Sequence, residues 1–512
     1  MLVAALAAFP LLHFLWDWSQ GFDHLLVQYL ADDAFYYFEI SRHPPEFNHG
    51  IPTSGFHPLY VLLIAPLHQM LSYEYAVPLS LLVLVLANCA CVVAVHRLLA
   101  SYWSEPLPLL CATAWALNGK MYSLAMTGVE TILAVLGVLL VLLQHARLVR
   151  DGIENAPASR YAALGALVGA TFLARMDSPL VLAPFITLLV LQALRRGLLV
   201  RVGALVGALA AVSLPWLVFM RVGTGSFFPT SGLALRVLAG IDGVFASQRL
   251  IQKSLIQFIT RFGEFLTTTD VAHGVAALGL LAFAAGVGAV FLARSSRLRD
   301  REFARFCALL FVGLACWSSY YVLFQAGFRR WYFAYVGLAV FALLLPLALS
   351  ALYRIPALAR SRVSVAVILV GIVSLLARPA PTAPQEYDKF RAALAADAIL
   401  TRENPPGRIG SFNAGVYNYF MSRDVINLDG VVNPEALEAL RSDTLADYIE
   451  AKGIGILIEH DLGQARHVKQ ITREQGIELE RWIDLTQYYP GYQGHYAKRT
   501  YLWKIRRARR TN

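Results

Sequence analysis

The sequence predicts a polytopic α-helical membrane protein with about eleven transmembrane helices and a soluble α/β domain at its C-terminal end. Three observations point there. Hydrophobic residues make up 57% of the 512 and charged residues 15%, against about 25% charged in soluble globular chains, and mean hydropathy is +0.54. Apolar stretches approaching the ~20 residues needed to cross a bilayer recur through the first three quarters of the chain. After residue 385 short apolar strands alternate with helical patterns. These features exclude an ordinary cytosolic enzyme, a disordered chain and a fibrous protein. Cys89, Cys91, Cys111, Cys307 and Cys316 all lie inside apolar runs, which argues against a disulfide framework and a zinc site.

Eleven stretches read as spans: 1–16, 76–99, 107–125, 128–146, 160–175, 179–194, 201–221, 271–293, 303–326, 331–352 and 363–378. Trp16-Asp17-Trp18 offers no small-residue cleavage site, so the first span reads as an anchor rather than a removed signal. The run Phe56–Leu71 is shorter and carries two prolines and two histidines. It reads as an interfacial or re-entrant helix. Fifteen of the 44 basic residues fall in alternate short loops: Arg97; Arg147, Arg150 and Arg160; Arg195, Arg196 and Arg201; Arg294, Arg297, Arg299, Arg301 and Arg305; Arg354, Arg360 and Arg362. The opposite short loops hold only Lys120, Arg175, Arg329 and Arg330. The positive-inside rule makes the first set cytoplasmic. The outer side then receives the loops 17–75 and 222–270 and everything after Arg378.

The domain boundary is expected between a transmembrane catalytic part, 1–384, and an extracytoplasmic α/β domain, 385–512, with a proline hinge at 379, 381 and 384. Strands are expected at 408–412, 425–428, 455–459, 477–484 and 496–505, and helices at 386–402, 434–451 and 462–476. Eighteen basic residues lie in this domain. On an outer face they suit a phosphate-rich membrane surface better than nucleic acid; a solvated basic end is the plain alternative.

Chemistry is sought on the outer face. Asp32-Asp33 follows the first span. One of the two could cap a helix over 34–42, and two together suit a general base or cation ligand at the lipid boundary. Glu130 and Lys120 stand at outer span ends, where the residues alone favour solvation or the helix dipole for Glu130 and a snorkelling anchor for Lys120. Arg175 reads there as a snorkelling anchor. Arg329-Arg330 runs against the positive-inside rule beside Trp331, Tyr332 and Tyr335, which read as an interfacial belt, and paired guanidiniums suit a lipid phosphate. His43, His49 and His57 have no metal-ligand spacing, and the metal content stays unknown.

Asp32-Asp33-Ala34-Phe35-Tyr36-Tyr37 with Pro52-Thr53-Ser54-Gly55-Phe56-His57-Pro58-Leu59 resembles the first outer loop of the GT-C glycosyltransferases. The resemblance is to the bacterial branch related to protein O-mannosyltransferases and aminoarabinose lipid A transferases. Further echoes are Thr127–Thr131, Leu173–Asp177, Phe227–Thr230, Arg329–Phe333, Ile409–Gly415 and Asn427–Gly430. Pro44-Pro45 departs from the pattern where relatives often run glycine-rich.

The resemblance implies an inverting hexosyl- or pentosyltransferase of the inner or plasma membrane. Its donor would be a sugar on polyprenyl phosphate and its acceptor a hydroxyl of an extracytoplasmic glycan, lipid or protein. It puts the base on Asp32 or Asp33, with Asp32 preferred because Asp33 is better placed to cap, and a supporting acid on Glu130. It keeps His57 as a substrate-binding residue, beside Lys120, Arg175, Arg329, Arg330 and Tyr332. No cofactor is certain, and there is room for a divalent cation. The rival classes are a lipid-linked-glycan flippase, which would carry acids at the midplane, and a membrane glycoside hydrolase using Asp32 and Glu130.

Overall fold

The structure is a computed structural model that describes residues 2–241, 243–266, 271–325, 327–352, 385–460, 477–488 and 499–507. The expected span 363–378, the hinge prolines, the helix 462–476, the loop arginines 354, 360 and 362 and the tail beyond 507 lie outside these residues. The chain is a multi-pass membrane protein of mostly helical build with a C-terminal β-sheet region. Among the described residues seven helices are long and apolar enough to cross a membrane: Leu2–Ser19, Tyr73–Ala100, Thr131–Asp151, Ser178–Arg195, Leu199–Thr224, Leu298–Gln325 and Trp331–Ser350.

The chain divides into two compact units. The first comprises Met1–Ser19, Leu81–Trp216 and Phe245–Ala380. Its helices meet closely where glycine replaces a side chain. A Cβ at Gly165 would strike the Leu205 carbonyl, one at Gly313 that of Val181, and one at Gly288 that of Leu347. Small residues at such crossings let apolar helices approach without a hydrophobic driving force.

Two expected spans are interrupted. The stretch 107–125 is two helices, Leu107–Ala116 and Gly119–Ala125, because Asn118 caps the second through its side chain, accepting from Met121 N at 2.8 Å. The stretch 331–352 opens with a tight turn, Arg330–Phe333, and carries a π turn at Val340–Leu344. Pro346 follows that turn and cannot donate a helical bond. The helix Leu298–Tyr320 likewise runs into a π turn, Tyr321–Gln325.

The second unit gathers Gln20–Ser80, Leu217–Val244 and Pro381–Asn512. Its five-stranded sheet runs β4-β3-β5-β7-β6, with β3 Arg408–Ser411, β4 Val425–Asn427, β5 Ile454–His460, β6 Ile477–Asp484 and β7 Thr500–Arg507. β3 pairs in parallel with β4 and β5; β7 is antiparallel to β5 and β6. The chain leaves β3 through the helix Gly415–Phe420 to reach β4 on one side. It then returns through Pro434–Arg441 and Leu445–Ala451 to β5 on the other. The carboxyl end of β3 is thus a topological switch point, where open α/β sheets form a crevice. Residues 434–451, expected as one helix, break where Asp443 takes φ +55°, a left-handed conformation Asp tolerates.

Edge strand β4 is covered by a hairpin, β1 Glu46–Asn48 and β2 Ile51–Pro52. Asn48 donates to Asp424 Oδ1 at 2.8 Å and to Val425 O at 2.9 Å, and accepts from Asn427 N at 3.0 Å. The run expected to be interfacial is the helix Pro58–Met70, 13 residues long, too short to span. The loop 222–270 holds two helices that the sequence reading missed, Thr230–Leu238 and Gln248–Leu266. The latter belongs to the first unit.

Candidate functional site

The helix carrying the aspartate pair runs from Asp32 to Arg42, and its N-cap is Ala31, with no side-chain cap. This corrects the expectation that Asp33 caps a helix beginning at 34. Both acids occupy the first turn, where the helix dipole favours carboxylates, so capping does not separate their roles. Their partners do. Asp32 Oδ2 is ion-paired with Lys389 Nζ at 2.9 Å, the lysine side chain only 6% exposed. Asp32 Oδ1 is buried without a hydrogen-bond partner, the kind of atom that calls for an explanation.

Around this pair the second unit assembles groups from the carboxyl ends of its parallel strands. Asp429 follows β4 and accepts from Val431 N at 2.9 Å. Burial pushes its carboxyl from the ordinary 3.8 up to about 7, against the hydrogen bonds from Val431 and Asn427, and the charges of Asp33 and Asp32 push the same way. Tyr36 is buried, and its hydroxyl accepts from Asn427 Nδ2 at 3.5 Å. Its pKa is raised first by burial, then by Asp429, Asp32, Asp33 and Glu459. Glu459, at the end of β5, accepts from Phe412 N at 3.1 Å and from Ser411 Oγ at 3.4 Å. The switch point therefore meets the aspartate helix in a cluster of four carboxylates, one tyrosine and one lysine.

The string Pro52–Leu59 forms a joint. Ser54 Oγ bonds to Thr230 Oγ1 at 2.9 Å and to Thr224 Oγ1 at 3.2 Å, and Gly55 lies so close to Val431 that a Cβ would strike its carbonyl. His57 is half-buried and precedes the helix with Pro58 at its first position, its own side chain not capping. At the other end of the aspartate helix, Arg42 donates to Glu39 Oε2 at 2.9 Å and to Tyr419 O at 2.8 Å, with Cζ 4.0 Å from the Tyr419 ring centre. His68 sits between Tyr419 Oη and Ser80 Oγ. Burial and then Arg42 pull its pKa down to about 3, which keeps it a neutral hydrogen-bonder.

The first unit holds the other predicted residues. Gly128, at φ +77°, makes the turn that places Glu130 ahead of the helix Thr131–Asp151. Arg175 closes the helix Ala158–Ala174 in extended conformation. Its side chain is 3% exposed and Glu130's 2%. Arg175 donates to Glu130 Oε1 at 2.7 Å, Thr131 Oγ1 at 3.2 Å, Tyr321 Oη at 2.9 Å and Asp177 Oδ2 at 3.1 Å, and its Cζ lies 4.2 Å from the Tyr332 ring centre. Asp177 also accepts from Trp317 Nε1 at 3.0 Å and from Tyr321 Oη. The snorkelling-anchor reading of Arg175 is thus corrected: it is the hub of a buried network. The expected belt Trp331-Tyr332-Tyr335 is corrected too, since Tyr335 is fully buried and bonded to Ser178 Oγ at 2.7 Å.

Lys120 is half-buried in the first turn of its helix, and Arg329 is exposed; the Arg330 side chain lies outside the described residues. The structure thus brings together Glu130, Arg175 and Tyr332 in one unit, and Asp32 and Asp33 in the other. Sequence reasoning missed Asp177, Tyr36 and Asp429, although all three sit inside motifs it singled out. Lys389 stands in an ordinary polar helix, with no signal to mark it. Among the described residues no group of three or more His, Cys, Asp or Glu is arranged to hold a metal ion.

No protein-family model matches the chain, and no curated protein does. Solved structures do. The ArnT of Cupriavidus metallidurans bound to undecaprenyl phosphate matches over 97% of both chains, at 12% identity and a TM-score of 0.58. The oligosaccharyltransferase of Archaeoglobus fulgidus in its apo form matches over 90% of this chain and 69% of its own, at 15% identity and 0.51. The same archaeal protein tethered to an acceptor peptide matches over 85% of this chain at 14% identity and 0.48, and there the chain spans 65% of its length. The first two of these matches show the fold alone, and it is the fold that the motifs implied.

Proposed function

We propose that the chain is a membrane glycosyltransferase that moves a sugar from a polyprenyl-phosphate donor to an acceptor hydroxyl, with Asp32 as general base. The observation that carries this is the asymmetry of the Asp32 carboxylate: Oδ2 is held by Lys389, and Oδ1 is left without a hydrogen-bond partner. A base needs such an atom, aimed and ionised. In the step, the acceptor oxygen bonds to the anomeric carbon while its proton passes to Oδ1. The bond from that carbon to the phosphate oxygen breaks, and the phosphate departs with the electron pair. A single displacement of this kind inverts the anomeric centre. Phosphate leaves as a stable anion, so the donor side needs cations rather than an acid. Arg329, exposed, is our candidate there, because four hydrogen bonds already engage Arg175. Glu130, buried against Arg175, fits a supporting role and is poorly placed for a hydrolase's acid.

The fold shared with a protein bound to undecaprenyl phosphate supports the donor class. Asp32, Asp33 and 385–512 are assigned to the extracytoplasmic side. Three chain segments separated by spans fold into one unit, and the arginine-rich short loops lie outside it. The test is a panel of undecaprenyl-phosphate-linked hexoses and pentoses given to purified protein with and without delipidated cell-envelope glycan. Consumption of one donor only when the acceptor fraction is present supports the reading. Release of free sugar without acceptor would turn it into a hydrolase, and no consumption of any donor would overturn it.

A further inference from the structure

Lys389 takes no part in the sequence motifs, yet it is the cation bonded to Asp32. It belongs to the helix Gln385–Glu403, at the start of the α/β domain. Its ammonium lies 2.9 Å from Asp32 Oδ2, with side chains 6% and 12% exposed. A lysine gives up hydration on this scale only when it is paired. The groups around Asp32 include Asp33 and Tyr36 from its own helix and Asp429 from the loop after β4, with Glu459 of β5 acting on the same Tyr36. All of them are acidic. Crowded carboxylates favour proton uptake by one of their number, and a protonated Asp32 could accept no proton from an acceptor hydroxyl.

We infer that Lys389 is a positioning residue: its ammonium offsets the charge of the Asp32 carboxylate among acidic neighbours and, by holding Oδ2, fixes the direction of Oδ1. This rests on the reading of Asp32 as the base. It makes the α/β domain part of the catalytic apparatus, since the residue that prepares the base comes from that domain.

The experiment uses full-length protein carrying Lys389→Met or Lys389→Arg. Two readouts are taken, the second needing no donor. With the undecaprenyl-phosphate sugar that wild type consumes, Lys389→Met should lower kcat about 10-fold or more at neutral pH with donor KM nearly unchanged. The acid limb of its pH–rate profile should move up by about 1–3 pH units, the effect of losing an adjacent opposite charge. Lys389→Arg should restore most of the profile. Independently, a water-soluble carbodiimide with an amine nucleophile, mapped by mass spectrometry, labels carboxyls only when protonated. Asp32 in Lys389→Met should become reactive at a higher pH than in wild type and Lys389→Arg. If Lys389→Met fails to fold, Lys389→Gln, uncharged and polar, carries the same comparison. An unmoved labelling curve, or a kcat loss equal at every pH, overturns the positioning role. A moved labelling curve in a protein that consumes no donor keeps the pairing and sinks the transferase reading instead.

Discussion

At the residue scale the decisive contrast is between Asp32 and Arg175, both expected to touch substrate. Arg175 is engaged on every side by protein groups. Its removal leaves Glu130 and Asp177 as buried carboxylates without their cation, and breaking such a pair typically costs about 3–5 kcal/mol. Arg175→Met should therefore reduce folded, monodisperse protein in detergent sharply, as read by thermal unfolding, with Arg175→Lys intermediate. An Arg175→Met protein that is fully stable but has lost undecaprenyl-phosphate affinity would return this arginine to the donor site. The sequence located both residues because motif strings mark them. It could not tell a buried hub from an anchor, because the partners Tyr321 and Trp317 lie 144 and 140 residues from Asp177. Lys389 was illegible for the same reason: its meaning comes from a pairing across the fold.

At the scale of elements, hydropathy located most spans, since an apolar run of the right length has few other uses. It missed interruptions set by single residues, such as the cap at Asn118 and the π turn at Tyr321. It also passed over the amphipathic helix Gln248–Leu266, whose apolar positions are too spaced to read as a run. The strands of the α/β domain were legible from their alternation; the docking of the β1–β2 hairpin on β4 was not. That docking depends on Asn48, fully buried and bonded three times to residues 424–427. Asn48→Ala should cost about 2–3 kcal/mol, because buried polar groups of β4 lose their partner. Amide exchange should rise at Val425–Asn427 and stay unchanged in the helix Thr131–Asp151. Unaltered protection at β4 would show that the hairpin merely rests on that edge.

For the whole molecule, the assignment of sides follows from which segments fold together. Residues 20–80, 217–244 and 381–512 form one unit, so an even number of crossings must separate them. Among the described residues two of the seven spans lie between the second and third segments, and the sequence reading places two more at 271–293 and 363–378. Cysteines introduced at His49 and Ser442, both exposed, should react with an impermeant thiol reagent in intact cells, while one at Arg195 should react only after lysis. Labelling at Arg195 in intact cells would invert the topology. The central claim is narrower: this fold transfers a sugar, and Asp32 takes the proton. Asp32→Asn keeps size and most hydrogen bonding but cannot act as a base. General-base loss typically costs about 10²–10⁴-fold. The most direct measurement is the single-turnover rate of acceptor-dependent donor consumption by wild type, Asp32→Asn and Asp33→Asn, with donor binding measured in parallel. The expected result is an Asp32→Asn protein that binds donor as wild type does and consumes it at least 100-fold more slowly, with Asp33→Asn impaired less. Full activity in Asp32→Asn with intact binding would contradict it.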